Sequence, residues 1–290
     1  MKPEDSVVEG ASPQGVDARD LAIETRGLGR DFERKPAVDG LDLRIARGEV
    51  YGFLGPNGAG KTTTIRMLNG LLRPTRGEIR IEGRSFQDAA REIRSRTGLV
   101  PDTPPLYEFL TGDQYIGFVA SLYGVDADQR DADAERWLRF FELEDRADDL
   151  CKNYSHGMRK KLHIAAVLCT RPAVLFLDEP TTGLDPRSAR RLKDLVLELR
   201  SGGTTVFLST HILDTAEELC DRIGILAGGR LRGEGTMAEL RSRRDDASLE
   251  EIFLELTEAA EAETEAGAGS AGPGSAGAGN DGADYGAGAR

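Results

Sequence analysis

An α/β fold with a mainly parallel, covered sheet is what this 290-residue sequence predicts, and three observations carry the prediction. The first is the unbroken apolar run Ala173-Val174-Leu175-Phe176-Leu177, which reads as a strand buried on both faces. The second is the alternation of strand-like and helix-like segments between 155 and 234, the pattern of parallel strands joined by helical crossovers. The third is Gly55-Pro56-Asn57-Gly58-Ala59-Gly60-Lys61-Thr62, a match to G-x-x-x-x-G-K-[ST] set between a strand-like run at 50–54 and a helix-like run at 62–71.

Taken in order, residues 1–20 lack periodicity and contain Pro3, Gly10, Pro13 and Gly15, so they read as a flexible leader. Alternation at 21–25 and 38–45 predicts short antiparallel strands ahead of the strand at 50–54. A strand near 78–82, a helix near 87–96 and a short strand at 98–100 follow. Residues 111–149 read as helical, with Tyr115, Ile116, Phe118, Val119 and Leu122, then Trp137, Leu138, Phe140 and Phe141, forming two apolar faces that belong to the core. Beyond 155 the prediction is a helix to 168, the strand at 173–177, a helix at 186–200, a strand at 204–208, a helix at 212–219, and strands at 222–226 and 230–234. After 257 the composition turns to Ala, Gly, Glu and Ser, which cannot bury enough apolar area to order itself, so 258–290 reads as a disordered tail.

The net charge of −12 lies mostly at the ends, since residues 1–20 carry −3 and 247–290 carry −8, leaving 21–246 at −1. Within that near-neutral core, 101–150 holds thirteen acidic and four basic groups between two net-positive halves. Such an acidic insert suits a phosphate site built by the basic halves, and equally suits a solvated helical face. No run of about 18 apolar residues occurs, so no membrane span is expected, and the polar 1–20 does not read as a secretory signal. Cys151, Cys169 and Cys220 lack C-x-x-C spacing and fit a reduced protein without zinc.

The glycine-rich loop carries the chemistry. A triphosphate needs many donors in little volume, and glycines let the backbone approach its oxygens and aim successive N–H groups at them. The positive end of the following helix adds to this. In such a loop Lys61 reaches the β- and γ-phosphates and the Thr62 hydroxyl holds Mg²⁺. A second element, Leu175-Phe176-Leu177-Asp178-Glu179, ends the buried strand in two carboxylates: Asp178 in the place where an Asp helps hold Mg²⁺, and Glu179 able to polarise an attacking water.

With four further stretches in this order, the chain resembles the nucleotide-binding subunits of ABC transporters over roughly 21–257. Tyr154-Ser155-His156-Gly157-Met158 looks like the family signature, Thr182-Gly183-Leu184-Asp185 like the D-loop, and Ser209-Thr210-His211 like the switch-histidine loop. Val100-Pro101-Asp102 falls where the glutamine loop belongs. The resemblance implies a P-loop NTPase with an ABC-type antiparallel β subdomain, a mainly parallel core sheet and a helical subdomain at about 101–150. It implies ATP and Mg²⁺ as ligands, with the 55–62 loop and Thr63 on the phosphates, and Thr62, Asp178 and Asp102 on the metal. Glu179, His211 and Lys61 are its catalytic set. Phe32 would stack on adenine, and Asp185 would link two sites. Ser155 and Gly157 would face the γ-phosphate of a second subunit in a head-to-tail homodimer. A helix N-cap is the alternative role for Ser155, a polar strand end for His211, and a core position for Phe32.

Two departures bear on this. Asp102 stands where the family has glutamine, and Tyr154, His156 and Met158 replace residues of the commonest signature, Leu-Ser-Gly-Gly-Gln. With Pro104-Pro105-Leu106-Tyr107 and Ser248-Leu249-Glu250-Glu251-Ile252-Phe253, these resemble the branch serving ABC-2 type exporters. The expectation is therefore an ATPase bound at the cytoplasmic face of the membrane to a separate integral-membrane permease, without a nucleic-acid partner. The alternatives are a soluble ABC ATPase of iron–sulfur assembly, DNA repair or translation, and a regulatory module without turnover. The chain has neither the coiled-coil insertions of the DNA-repair members nor the second phosphate loop of the translation members, and Glu179 speaks against a module without turnover.

Overall fold

The computed structural model describes residues 20–33, 35–242 and 247–269. Strands β1 (Leu21–Phe32), β2 (Lys35–Ala46), β4 (Arg76–Ile81) and β5 (Arg84–Ser85) form an antiparallel sheet in the order β2-β1-β4-β5. A second sheet has the order β10-β9-β3-β8-β7-β6, from β3 (Val50–Leu54), β6 (Thr97–Val100), β7 (Val174–Asp178), β8 (Thr205–Thr210), β9 (Arg222–Ala227) and β10 (Arg230–Gly235). It is parallel except at β10, which pairs antiparallel with β9 through a tight turn. The four helices α1 (Lys61–Leu68), α2 (Phe86–Arg96), α3 (Gly112–Leu122) and α4 (Ala127–Phe140) precede β7 in the chain, as does α5 (His156–Leu168); α6 (Pro186–Ser201), α7 (Leu213–Leu219), α8 (Met237–Ser242) and α9 (Leu249–Gly269) come later.

The apolar run at 173–177 is covered on both faces, as its lack of alternation predicts. Val174 and Phe176 of β7 pack with Tyr51, Phe53 and Phe207, between the two sheets and α1. Leu175 and Leu177 turn the other way and meet α5 and α6. The same second core takes Tyr115, Ile116 and Ala120 of α3 and Trp137 and Leu138 of α4, so the apolar faces of 111–149 are packing faces. Helix α1 stops earlier than its apolar pattern: the Asn69 side chain donates back to the Ile65 carbonyl at 2.8 Å, and Gly70 takes φ +66.

The tail is corrected in part. Helix α9 continues through 258 to Gly269, where sequence reading placed a disordered segment. Alanine and glutamate are strong helix formers, and α9 is anchored by buried Leu249 and Ile252, with Ala260 also buried. A segment too poor in apolar residues to fold alone can extend a helix that is already docked. The rest of the tail, 270–290, and the leader to residue 19 lie outside the described residues.

Candidate functional site

Central strand β3 lies between β8 and β9, and the glycine-rich loop leaves its C-terminal end. Two glycines there are required sterically. A Cβ on Gly55 would come within 2.4 Å of the Leu226 carbonyl oxygen, and one on Gly60 within 2.4 Å of that of Ala37, at φ +110. Gly60 is the N-cap of α1 and offers no side chain to cap it, so the first N–H groups of α1 are left to point at an anion. Lys61, only 7% exposed, arches back over the loop: its ammonium donates to the Gly55 carbonyl at 2.6 Å and the Pro56 carbonyl at 3.3 Å, and stands 3.6 Å from Glu179 Oε1.

Opposite the loop, Asp178 ends β7 almost fully buried and accepts from two hydroxyls, Thr62 Oγ1 at 2.9 Å and the Ser209 hydroxyl of β8. Thr62 and Asp178 thus present hard oxygens at the spacing of neighbouring ligands on an octahedral Mg²⁺, whose bonds are about 2.0–2.1 Å. Glu179 is held in the left-handed region at φ +47, with its N–H donating to the Ser209 carbonyl at 3.0 Å. Its Oε1 lies 3.0 Å from His211 Nδ1, while Oε2 is buried without a hydrogen-bond partner. The strands β7 and β8 pair in register Asp178↔Ser209, which is why residues 31 apart in sequence meet here.

Asp102 is not joined to this group. Its Oδ1, expected on the metal, accepts from the Lys160 ammonium at 3.2 Å. Lys160 is fully buried and also donates to the carbonyls of Glu179 and Thr182, each at 2.8 Å. Sequence reading missed it because Arg159-Lys160-Lys161 looks like a solvated run. The signal was its position four residues before Ile164 and eight before Leu168, on the buried stripe of α5.

Ser155 caps α5, accepting from the Met158 N–H at 3.3 Å. Gly157 allows α5 to touch the 182–185 turn, since a Cβ there would sit 3.0 Å from the Gly183 carbonyl. The His156 ring covers Gly183, and Tyr154 anchors the helix start by donating to the Arg146 carbonyl at 2.6 Å; burial pushes its phenol up to about 12. Asp185 caps α6, and its hydrogen bonds from the Ser188 hydroxyl and N–H hold its carboxyl below the usual range. The contacts of Ser155 and Gly157 therefore run to Met158 and Gly183, and those of Lys61 and Thr62 to Gly55, Asp178 and Glu179. Phe32 lies at the end of β1, 45% exposed, with the Arg30 guanidinium 4.8 Å from its ring centroid. The hairpin it belongs to abuts the loop where Ala37 meets Gly60.

Comparison with known proteins gives a family match and a consistent set of relatives. The ABC transporter family model matches residues 38–182. A daunorubicin resistance ATP-binding protein, DrrA3 of Streptomyces coeruleorubidus, is 44% identical over 236 residues, covering 81% of this chain and 75% of that protein. Among solved structures, an ATP-binding subunit of an ABC transporter superposes with TM-score 0.78 at 34% identity, over 81% of this chain and 99% of that one. The dimeric cassette MJ0796 bound to ADP and Pi superposes with TM-score 0.69 at 25% identity, over 74% of this chain and 98% of that one.

Proposed function

This chain belongs to the ABC transporter family as an ATP-binding, ATP-hydrolysing subunit, and from that premise we propose that it drives an ABC-2 type exporter from the cytoplasmic face of the membrane. Relatives named for drug resistance and drug export support the direction of transport. Among the described residues no helix is long and apolar enough to cross a membrane. In this reading a separate integral-membrane permease carries the cargo.

The observation that carries the catalytic reading is the Glu179 carboxylate. Its Oε1 is fixed beside His211 and Lys61, while Oε2 is buried and unpartnered. A buried carboxylate oxygen lacking a donor carries a desolvation cost that an incoming water relieves. In the proposed reaction Lys61 and the backbone N–H groups at the start of α1 hold the β- and γ-phosphates, and Glu179 Oε2 accepts a proton from the water that attacks the γ-phosphorus, while the bond from that phosphorus to the β–γ bridging oxygen breaks and ADP and phosphate leave. His211 orients Glu179 and the water. Mg²⁺, when held by Thr62 and Asp178, would neutralise charge on the phosphate oxygens. Phe32 stacks on the adenine in this reading.

In this reading the assembly is a head-to-tail homodimer, in which Ser155 and Gly157 of one subunit close over the triphosphate held by the other, with Asp185 near the seam. A solved relative that is dimeric supports the pairing of two subunits. The permease contact is proposed to fall on exposed apolar side chains of 101–150 rather than on its carboxylates. Asp126 caps α4, Asp131 pairs with Arg130, and Asp133 is buried against Arg171. Tyr107, Phe109 and Leu122 stand 58%, 80% and 69% exposed on and beside α3, and they form the proposed docking face.

Glu179→Gln tests the central claim. The amide keeps the shape and loses the basicity, so steady-state phosphate release is expected to fall by about 10²- to 10⁴-fold while ATP binding persists. Undiminished turnover would remove Glu179 from the mechanism.

A further inference from the structure

We propose that Lys160 is a positioning residue for Glu179, and that Asp102 sets how firmly it holds. The inference rests on the reading of Glu179 as the base.

Lys160 is 0% exposed, and its ammonium has three N–H donors and three acceptors: Asp102 Oδ1 at 3.2 Å, Glu179 O at 2.8 Å and Thr182 O at 2.8 Å. A charge buried this deeply is costly unless it is fully bonded, so the acceptors are held as firmly as the lysine. Two of them are backbone oxygens of the turn that bears the base. Glu179 adopts φ +47, a region that non-glycine residues enter only where the surroundings over-determine them. Its N–H is fixed by the Ser209 carbonyl at 3.0 Å and its own carbonyl by Lys160, with the Thr182 N–H closing the turn onto the same carbonyl at 3.2 Å. Pinning both sides of one residue sets the direction of its side chain, and hence the place of Oε2.

The third acceptor differs from the other two. Asp102 is half exposed, in the segment between β6 and α3 that also carries Tyr107 and Phe109. A displacement of that segment changes the bond to Lys160 without touching the phosphate loop. Lys160 also belongs to α5, the helix that Ser155 caps and whose His156 and Gly157 lie against Gly183. One ammonium therefore joins the exposed aromatic segment, the signature helix and the turn of the base. At Asp102 a charge pair thus ties the segment of the exposed aromatics to the catalytic turn.

The test uses the purified full chain, with steady-state and single-turnover ATP hydrolysis measured beside equilibrium binding of Mg-ATP. Lys160→Met keeps the length and removes the donors; kcat is expected to fall at least about tenfold with the ATP dissociation constant within about twofold. Lys160→Arg, which keeps charge and donors, recovers part of that loss. Asp102→Asn lowers kcat by about two- to fivefold at unchanged affinity. If Lys160 acts through Glu179, Lys160→Met produces no further loss in the Glu179→Gln background, whereas a role independent of the base adds its full loss there. Unchanged kcat in Lys160→Met, or full additivity with Glu179→Gln, overturns the proposal. Should Lys160→Met fail to fold, wild-type kcat in both Lys160→Gln, which lacks the ammonium, and Asp102→Asn overturns it equally. Full turnover by Glu179→Gln alone overturns the base itself, while loss there with retention in Lys160→Met removes only the positioning role.

Discussion

Replacing Arg222 with methionine is expected to destabilise the fold by about 3–5 kcal/mol near pH 8, because it removes the positive member of a buried ionic cluster. The Arg222 guanidinium donates to the Arg44 carbonyl of β2 at 3.0 Å and to Glu49 Oε1 at 3.1 Å, lies 2.8 Å from Glu234 Oε1, and stacks 5.6 Å from the Tyr51 ring centroid. It thus joins the antiparallel sheet to β3, β9 and β10 of the parallel one. Methionine fills the volume and leaves two carboxylates, 8% and 5% exposed, without the arginine charge; the Ala46 N–H still donates to Glu49 and the Tyr51 hydroxyl to Glu234. Burial already raises both carboxyls above their ordinary 4.5, and Arg222 opposes that rise. For an acid raised in the folded state, the folded form binds more protons than the unfolded one. Its contribution is present at low pH and is lost as pH climbs from 4.5 through the raised value. Without Arg222 the rise is larger, so the deficit of the variant grows with pH. Urea unfolding at about pH 5 and about pH 8 measures it, and near pH 8 the melting temperature is expected to fall by about 6–20 °C. A loss below about 1 kcal/mol near pH 8, or an equal loss at both pH values, refutes the account of this cluster as a desolvated pair held by one arginine.

Two further outcomes follow from the site. Gly157→Ala places a Cβ 3.0 Å from the Gly183 carbonyl, so α5 must retreat by a few tenths of an ångström. Turnover is expected to drop by roughly tenfold with ATP still bound at Lys61, since small misplacements of a phosphate-facing group are costly, and an unaltered rate removes Gly157 from the closing surface. Asp178→Asn keeps the shape but discards the charge, and its amide accepts from one of the Thr62 and Ser209 hydroxyls while it must donate to the other. A charged hydrogen-bond acceptor contributes about 1.5–3 kcal/mol, so the Mg²⁺ concentration needed for nucleotide binding should rise by about tenfold or more. Nucleotide binding that saturates at the same Mg²⁺ level speaks against the metal assignment.

Most elements of the fold were legible because they are local. The strand at 174–178 announces itself by an apolar run, the start of α1 by glycines followed by Lys61, and the start of α6 by Asp185 before Pro186. The misreadings are also informative. Helix α9 passes residue 258 because docking of Leu249 and Ile252 supplies what its composition lacks, and that contact with the β9 side is not written in the tail itself.

The sequence by itself determined the triphosphate chemistry of 55–62, the carboxylates closing β7 and the family resemblance, since each is a property of a few consecutive residues and the backbone they permit. Only the tertiary structure decided who holds Asp102, how Glu179 is pinned and what joins the two sheets. Those partners lie 58 residues apart for Asp102 and Lys160, 19 for Glu179 and Lys160, and 173 for Glu49 and Arg222. Whether a lysine in a basic run is solvated or becomes the centre of a buried site depends on which loops the sheet order brings to it. The helical stripe of α5 turns Lys160 inward, but it does not name the acceptors that meet it.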